Sequence, residues 1–134
     1  MIRRLGGPMI ADSRRLWRQL LLALLAFAVL VVAVSTLWRI NLVLTLLMLV
    51  ELGIVLGIWH DRRDLSFLLV IGGMGSIAEA AFVRAGAWHY ANPSFLGIPA
   101  WFPFAFGTAG LCGGRIARSV AALWEAWSAS RVPS

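Results

Sequence analysis

The fold class is decided by the stretch from Gln19 to Trp38, QLLLALLAFAVLVVAVSTLW, which has 20 residues and no charged side chain. An arginine bounds it on each side, at Arg18 and at Arg39. About 20 predominantly apolar residues in a helix cross a bilayer core roughly 30 Å thick. The stretch therefore predicts a membrane-spanning helix.

Three more predominantly apolar runs of similar length follow in the 134-residue chain: Leu42–Trp59, Leu65–Val83 and Phe95–Gly114. The composition, 60% hydrophobic and 13% charged, excludes an ordinary soluble domain, in which about a quarter of the residues are charged. We therefore predict a single all-α membrane domain, a bundle of four transmembrane helices. The predicted segments are a cytoplasmic arm over 1–12, helices over 16–38, 42–59, 65–83 and 99–115, and an amphipathic tail over 116–130.

All twelve basic residues are arginines, and their distribution predicts the orientation of the chain. If the N-terminus lies in the cytoplasm, ten arginines fall on the cytoplasmic side and only Arg39 and Arg84 fall outside. Such a bias places both termini in the cytoplasm. The net charge of +6 is explained by topology and by attraction to anionic headgroups. We therefore predict no nucleic acid partner; the predicted partners are membrane lipids and other membrane subunits or a second copy.

The two ends of the chain have weaker signals. Gly6, Gly7 and Pro8 indicate an irregular arm, and Asp12 or Ser13 is a candidate cap for the first helix. Residues 116–130 have apolar side chains at helical spacing. This pattern predicts an interfacial helix on the inner membrane surface, and a plain extension of the fourth helix stays open as the alternative.

Small residues indicate where the helices pack, because lipid provides no hydrophobic drive between them. GxxxG pairs occur at Gly53 and Gly57 and again at Gly110 and Gly114. The third run has its own small face. The helix-packing residues predicted from these patterns are Gly53, Gly57, Gly72, Ser76, Gly110 and Gly114.

Glu79 is the first candidate site residue, since an ionisable side chain inside a membrane helix is costly to keep. At 3.6 residues per turn it shares a face with Gly72 and Ser76 and points into the bundle near the outer end. Two roles stay open. Glu79 is either an acid, base or ligand anchor, or a brace that holds the following loop by hydrogen bonds.

Glu51 lies at the centre of the second run, on the face opposite Gly53 and Gly57. Midplane carboxylates serve in proton-coupled transporters. The alternative is a protonated Glu51 hydrogen-bonded across a helix interface.

The loop after Glu79 is rich in aromatic side chains, and its prolines and glycines fix turns. The aromatic residues either line an apolar groove or belong to an interfacial belt. His89 is a candidate for proton transfer, but no second ligand lies at metal-binding spacing, so we predict no metal site. No cofactor is predicted, and the ligand left open is a bound lipid, isoprenoid or pigment. The predicted ligand- or partner-binding residues are Arg84, Trp88, Tyr90, Phe95, Trp101 and Phe102.

The same region resembles a motif of small bacterial four-span membrane proteins: Glu79…Gly86-Ala-Trp88-His-Tyr90…Pro93…Gly97-Ile-Pro99-Ala-Trp101…Pro103. It is also similar, over residues 79–103, to a pattern in the hydratase family of carotenoid biosynthesis, whose members are longer and have more spans. The first resemblance implies a protein of the bacterial inner membrane. The second implies an acidic position at Glu79 near an isoprenoid site, with Trp88, Tyr90 and Trp101 around it.

Three functions follow from these observations as expectations. We favour a non-catalytic accessory or structural membrane subunit that docks partner helices, lipid or an apolar ligand through the aromatic loop. A membrane enzyme acting on an isoprenoid or lipid, with Glu79 as acid or base, is the second. The third is a small proton-coupled transporter that uses Glu51.

Overall fold

The computed structural model describes residues 8–131, and within them the chain is all-α. The described residues contain no β-strand, only an isolated bridge between Phe95 and Ile98. The all-α class is thus confirmed for the described residues. The four helices are α1 (Pro8–Leu37), α2 (Asn41–Ile58), α3 (Arg62–Arg84) and α4 (Phe102–Ala129).

Three of these helices are long and apolar enough to cross a membrane. The membrane-length segments are Asp12–Leu37, Asn41–Ile58 and Arg62–Arg84, and the most apolar 18 residues of each have mean hydropathies of 2.9, 2.3 and 1.8. Helix α4 is not among them, because its four glycines, Pro103 and its two arginines lower its hydropathy. The sequence predicts a fourth membrane helix in this region, which this test does not identify.

Helix α4 is nevertheless the centre of the molecule. It packs against α1, α2 and α3, whereas α3 makes contacts with α4 alone among the helices. In the most apolar 18 residues of α3, only 6% of the residues are buried. Most side chains of α3 therefore need lipid or another molecule around them. The buried residues of α4 are Phe102, Ala105, Gly107, Thr108, Leu111, Cys112, Gly114 and Ser119.

Glycines bring α3 and α4 into close contact. A Cβ atom added to Gly72 would lie 3.0 Å from the Cα of Gly107, and the same test places Gly110 against Ile71 and Gly114 against Phe67. Backbones that approach this closely gain van der Waals contact, the main attraction between helices in lipid.

Helix α2 directs a different face to the bundle from the one that carries its GxxxG pair. Its buried residues are Leu44, Met48, Glu51 and Val55, at helical spacing. A Cβ atom on Gly53 or Gly57 would meet nothing within 4 Å. This glycine pair therefore packs against no helix of the described chain.

Two helix ends differ from the sequence prediction. Helix α1 begins at Pro8, so residues 8–12, expected to be irregular and capped at Asp12 or Ser13, are helical; residues 1–7 of the predicted arm lie outside the described residues. Helix α4 continues without a break to Ala129, so residues 116–129 extend it and form no separate helix. Its 28 residues are about 42 Å long. The alanines of this segment favour helix and no Gly or Pro interrupts it.

Polar contacts define the two ends of the bundle. At one end the Nε1 of Trp59 donates to the Oε1 of Gln19 at 2.6 Å, and the Nε of Arg115 donates to the Oδ1 of Asp64 at 2.8 Å. We call this the arginine-rich end. At the other, the loop end, the Asn92 side chain donates to the carbonyl oxygen of Arg39 at 2.8 Å.

Candidate functional site

The loop of residues 85–101 joins α3 to α4 and has a defined backbone. Leu96 and Gly97 both have positive φ angles, 48° and 81°, as in a type I′ turn. The Phe95 carbonyl accepts from the Ile98 N–H at 2.9 Å and closes the turn. A Cβ atom on Gly97 would lie 2.6 Å from the Cγ1 of Val83, so the turn rests directly on the end of α3.

Glu79 holds the first half of this loop on α3. The Nε1 of Trp88 donates to the Oε1 of Glu79 at 2.7 Å, and the hydroxyl of Tyr90 donates to the same oxygen. The ring of Trp88 also packs on that of Phe82, with centroids 5.5 Å apart. One carboxylate oxygen thus fixes two aromatic side chains of the loop.

Tyr90 is the chemically perturbed member of this group. Burial, followed by the hydrogen bond to Glu79 and the charge of that carboxylate, raises the pKa of Tyr90 well above its ordinary value. The hydroxyl therefore stays protonated and remains a donor to Glu79 across the physiological pH range.

The second half of the loop is hydrogen-bonded to the first residue of α2. The side-chain amide of Asn41 donates to the carbonyl oxygen of Asn92 and, at 3.3 Å, to the hydroxyl of Ser94. The Ser94 hydroxyl in turn accepts from the N–H of Ala100 at 3.1 Å. The loop is thus attached to both sides of the bundle.

An apolar groove of about 670 Å³ lies below the loop, between α1 and α4. Tyr90 and Trp101 close it at the loop end, with ring centroids 6.3 Å apart in an edge-to-face arrangement. The α1 wall includes Val34, Ser35 and Trp38, and the α4 wall includes Phe102, Ala105 and Ala109. Nearly all of the lining atoms are apolar, so the groove suits a hydrocarbon chain.

The structure brings only some of the predicted binding residues to this groove. Tyr90, Trp101 and Phe102 line it. Trp88 and Phe95 are half exposed, Trp88 on α3 and Phe95 at the base of the turn. Arg84 and His89 are exposed, and Arg84 lies beside Leu96 and Gly97. The α1 wall was not predicted from the sequence. The small residues Ala105 and Ala109, one turn apart on α4, are the sequence signal that indicates a groove.

Glu51 lies in a separate place, between α1 and α2. Its side chain borders an apolar cavity of about 260 Å³, and the residue is only 7% exposed. No described residue donates a hydrogen bond to either of its carboxyl oxygens.

The acidic turn before α3 forms ion pairs with α4. Asp64 is fully buried, and its carboxylate accepts from Arg115 at 2.8 Å and from Arg118 at 2.6 Å. Asp61 caps α3, and its side chain accepts from the Asp64 N–H at 2.9 Å. Arg115 also lies 5.5 Å from the ring of Trp59. The cluster connects three chain segments and leaves Asp64 no free face for catalysis.

Among residues 8–131, no three His, Cys, Asp or Glu side chains lie close enough to hold a metal ion. The fold and contacts define a helical bundle with three membrane-length helices. Comparison of the chain with protein-family models, curated proteins and solved structures finds no match.

Proposed function

We propose that this chain is a four-span protein of the bacterial inner membrane, and that it is a non-catalytic accessory subunit which holds the apolar chain of a lipid or isoprenoid in the groove between α1 and α4. The observation that carries this proposal is the groove itself, an almost wholly apolar space with a hydrogen-bonded aromatic rim.

The packing of α4 supports the fourth span. Helix α4 runs antiparallel to α3, because Gly107 lies against Gly72 and Gly114 against Phe67, and it packs against all three apolar helices. A helix that packs against other helices needs less hydropathy to stay in a bilayer, because its small and polar residues can face protein instead of lipid.

The arginines support the orientation. Arg115 and Arg118 lie at the arginine-rich end with Arg62 and Arg63, while Arg39 lies at the loop end. With the arginine-rich end in the cytoplasm, ten of the twelve arginines are cytoplasmic, and the groove opens toward the outer leaflet.

The contacts of Glu79 support a binding role over a catalytic one. Its Oε1 accepts from both Trp88 and Tyr90, so the carboxylate positions the rim of the groove. A general acid or base must reach the proton that it transfers, and here Tyr90 lies between Glu79 and the groove.

A matched pair of neighbouring variants tests the binding role. Ser35 is exposed and lines the groove, whereas the adjacent Thr36 is exposed but lies outside it. Ser35→Trp should fill the groove with little risk to folding. We expect a photoreactive fatty acid or isoprenoid to crosslink to the purified wild-type chain and to Thr36→Trp, and roughly tenfold less to Ser35→Trp, a loss of about 1.4 kcal/mol of binding. Equal crosslinking of the two variants would contradict the proposal.

One contact favours an enzyme acting on an isoprenoid as a second candidate, because the Tyr90 hydroxyl joins Glu79 to the groove. The substitutions Glu79→Gln and Glu79→Ala separate the two functions. The glutamine side chain keeps an oxygen that accepts from Trp88 and Tyr90, so a structural role of Glu79 is retained in Glu79→Gln and lost in Glu79→Ala. A role as a general acid or base is lost in both variants. Conversion of an isoprenoid by the wild-type chain, abolished in Glu79→Gln while groove crosslinking persists, would establish the enzyme.

A further inference from the structure

The carboxyl group of Glu51 is buried without a partner. The residue is 7% exposed, and neither oxygen accepts a hydrogen bond from the described chain. It borders a cavity of about 260 Å³ whose other walls are apolar side chains of α1 and α2, among them Leu22, Ala26 and Ile54.

Both protonation states of Glu51 are incomplete in this setting. An ionised carboxylate without a partner is strongly disfavoured in an apolar interior. A neutral acid is disfavoured less, but its O–H and its carbonyl oxygen stay unsatisfied. A group that is unfavourable in either state indicates a site which another molecule completes.

The described residues do not supply the missing cation. Between Gln19 and Leu37, the part of α1 that packs along α2, no side chain is ionisable. From α4, the titratable neighbour is Cys112, a buried thiol that carries no positive charge in either protonation state. The described arginines that form ion pairs lie at the arginine-rich end.

We propose that Glu51 and this cavity bind a primary alkylammonium, an amphiphile with one –NH₃⁺ head group and a hydrocarbon tail. The head group supplies a balancing charge and three N–H donors for the two orphan oxygens. The hydrocarbon tail occupies the space between the apolar walls. The cavity volume of 260 Å³ equals that of about nine liquid water molecules, which is room for a chain of roughly eight to ten carbons. Binding ionises Glu51 and releases its proton, so RNH₃⁺ and the neutral acid become an ion pair and one H⁺.

This site is independent of the groove proposed above. The two cavities share no lining residue, and they lie on different sides of α1. Ser35→Trp should therefore leave alkylammonium binding unchanged, and Glu51→Gln should leave lipid crosslinking in the groove unchanged.

The test uses the purified full-length chain in a non-ionic detergent, with decylammonium as the probe and calorimetry against empty micelles. We expect the wild-type chain to bind decylammonium at least about tenfold more tightly than it binds decanol or decyltrimethylammonium, which lack the charge and the N–H donors respectively. Glu51→Gln should lose this preference. Glu125→Gln, which changes an exposed glutamate, should keep it. Binding should release about one proton per chain.

A second measurement needs no variant at position 51. The chain has three glutamates, Glu51, Glu79 and Glu125, so ¹³C-labelling of glutamate carboxyls gives three signals; variants at positions 79 and 125 assign them. Decylammonium should move the Glu51 signal to the position of an ionised carboxylate and leave that of Glu125 in place. Absence of decylammonium binding, equal binding of decanol, equal binding by Glu51→Gln, or an unmoved Glu51 signal would each overturn the proposal.

Discussion

At the scale of a single residue, the titration of Tyr90 measures its contact with Glu79, because Tyr90 is the only tyrosine of the chain. Burial first, and then the hydrogen bond to Glu79, raise its pKa. The contact thus stabilises the folded chain below the unfolded-state pKa of about 10, and this contribution is lost as the pH rises through the higher folded-state pKa.

We predict that the tyrosinate absorbance of the folded chain rises at a pH above that of the chain unfolded in denaturant. Glu79→Gln keeps the acceptor but loses the charge, and should lower the midpoint. Glu79→Ala removes both and should lower it further. A midpoint that is the same in the wild type and in Glu79→Ala would show that Glu79 does not hold Tyr90.

Asp64 is the residue on which the arginine-rich end depends. Its side chain is fully buried, while those of Arg115 and Arg118 are 21% and 29% exposed. Removing its charge leaves Arg118 without its ion-pair partner and Arg115 with only the exposed Asp61, and breaking a buried ion pair in this way costs about 3–5 kcal/mol. Thermal unfolding in detergent should therefore show a large loss of stability for Asp64→Asn.

Asp61→Asn is the matched control for this prediction. The Asp61 side chain is 54% exposed, and Asn caps a helix about as well as Asp. An exposed ion pair contributes roughly 0–1 kcal/mol, so this variant should unfold close to the wild type. Equal losses in the two variants would contradict the assignment of Asp64 as the buried partner.

At the scale of the helices, the contact between α3 and α4 depends on glycines, which have no side chain to separate the two backbones. A Cβ atom on Gly72 would lie 3.0 Å from the Gly107 Cα and 3.3 Å from the Pro103 carbonyl oxygen, both backbone atoms that cannot move aside alone. The adjacent Gly73 faces open space.

We predict that Gly72→Ala lowers the free energy of unfolding by about 1–3 kcal/mol through overpacking. Gly73→Ala should cause no loss, because alanine favours helix by up to about 1 kcal/mol over glycine and nothing obstructs it. Circular dichroism during unfolding in detergent measures both. Equal stability of the two variants would show that α3 and α4 do not approach at Gly72.

The sequence predicted the helices well because each depends on a local pattern. Hydropathy runs gave α2 and α3 to within a few residues, and the 3.6-residue period placed Glu51 opposite Gly53. The end of α4 was harder to predict, since an amphipathic tail and a continuing helix have the same periodicity. Only the structure identifies Arg115 and Arg118 as partners of Asp64, since they lie 51 and 54 residues away and neither charge spacing nor periodicity relates such distant residues.

The candidate site was predictable only in part, for the same reason. Glu79 and the aromatic loop are close in sequence, and a bracing carboxylate was one of the two roles left open for them. The groove also needs a wall from α1, and no local pattern connects Val34 or Trp38 with Ala105. Which aromatic residues of a loop face inward depends on its turns, and here the turn at Leu96 and Gly97 leaves Phe95 half exposed.

For the whole molecule, the central place of α4 would allow a helix of low hydropathy to cross a bilayer together with the three apolar helices. It directs eight buried residues toward the other helices, whereas α3 is exposed over most of its apolar surface. The molecule thus has an enclosed centre and an apolar exterior, the arrangement that a bilayer requires. The orientation proposed for that bilayer rests on the distribution of the arginines.

Single cysteines test this orientation in intact cells. Ala91 is exposed in the loop between α3 and α4, and Ala126 is exposed near the end of α4. The native Cys112 is buried and is replaced by alanine to remove any background. With both termini cytoplasmic, a membrane-impermeant maleimide should label Ala91→Cys in intact cells, and should label Ala126→Cys only after the cells are opened. The reverse pattern would invert the topology, and labelling of both positions in intact cells would mean that α4 does not cross the membrane.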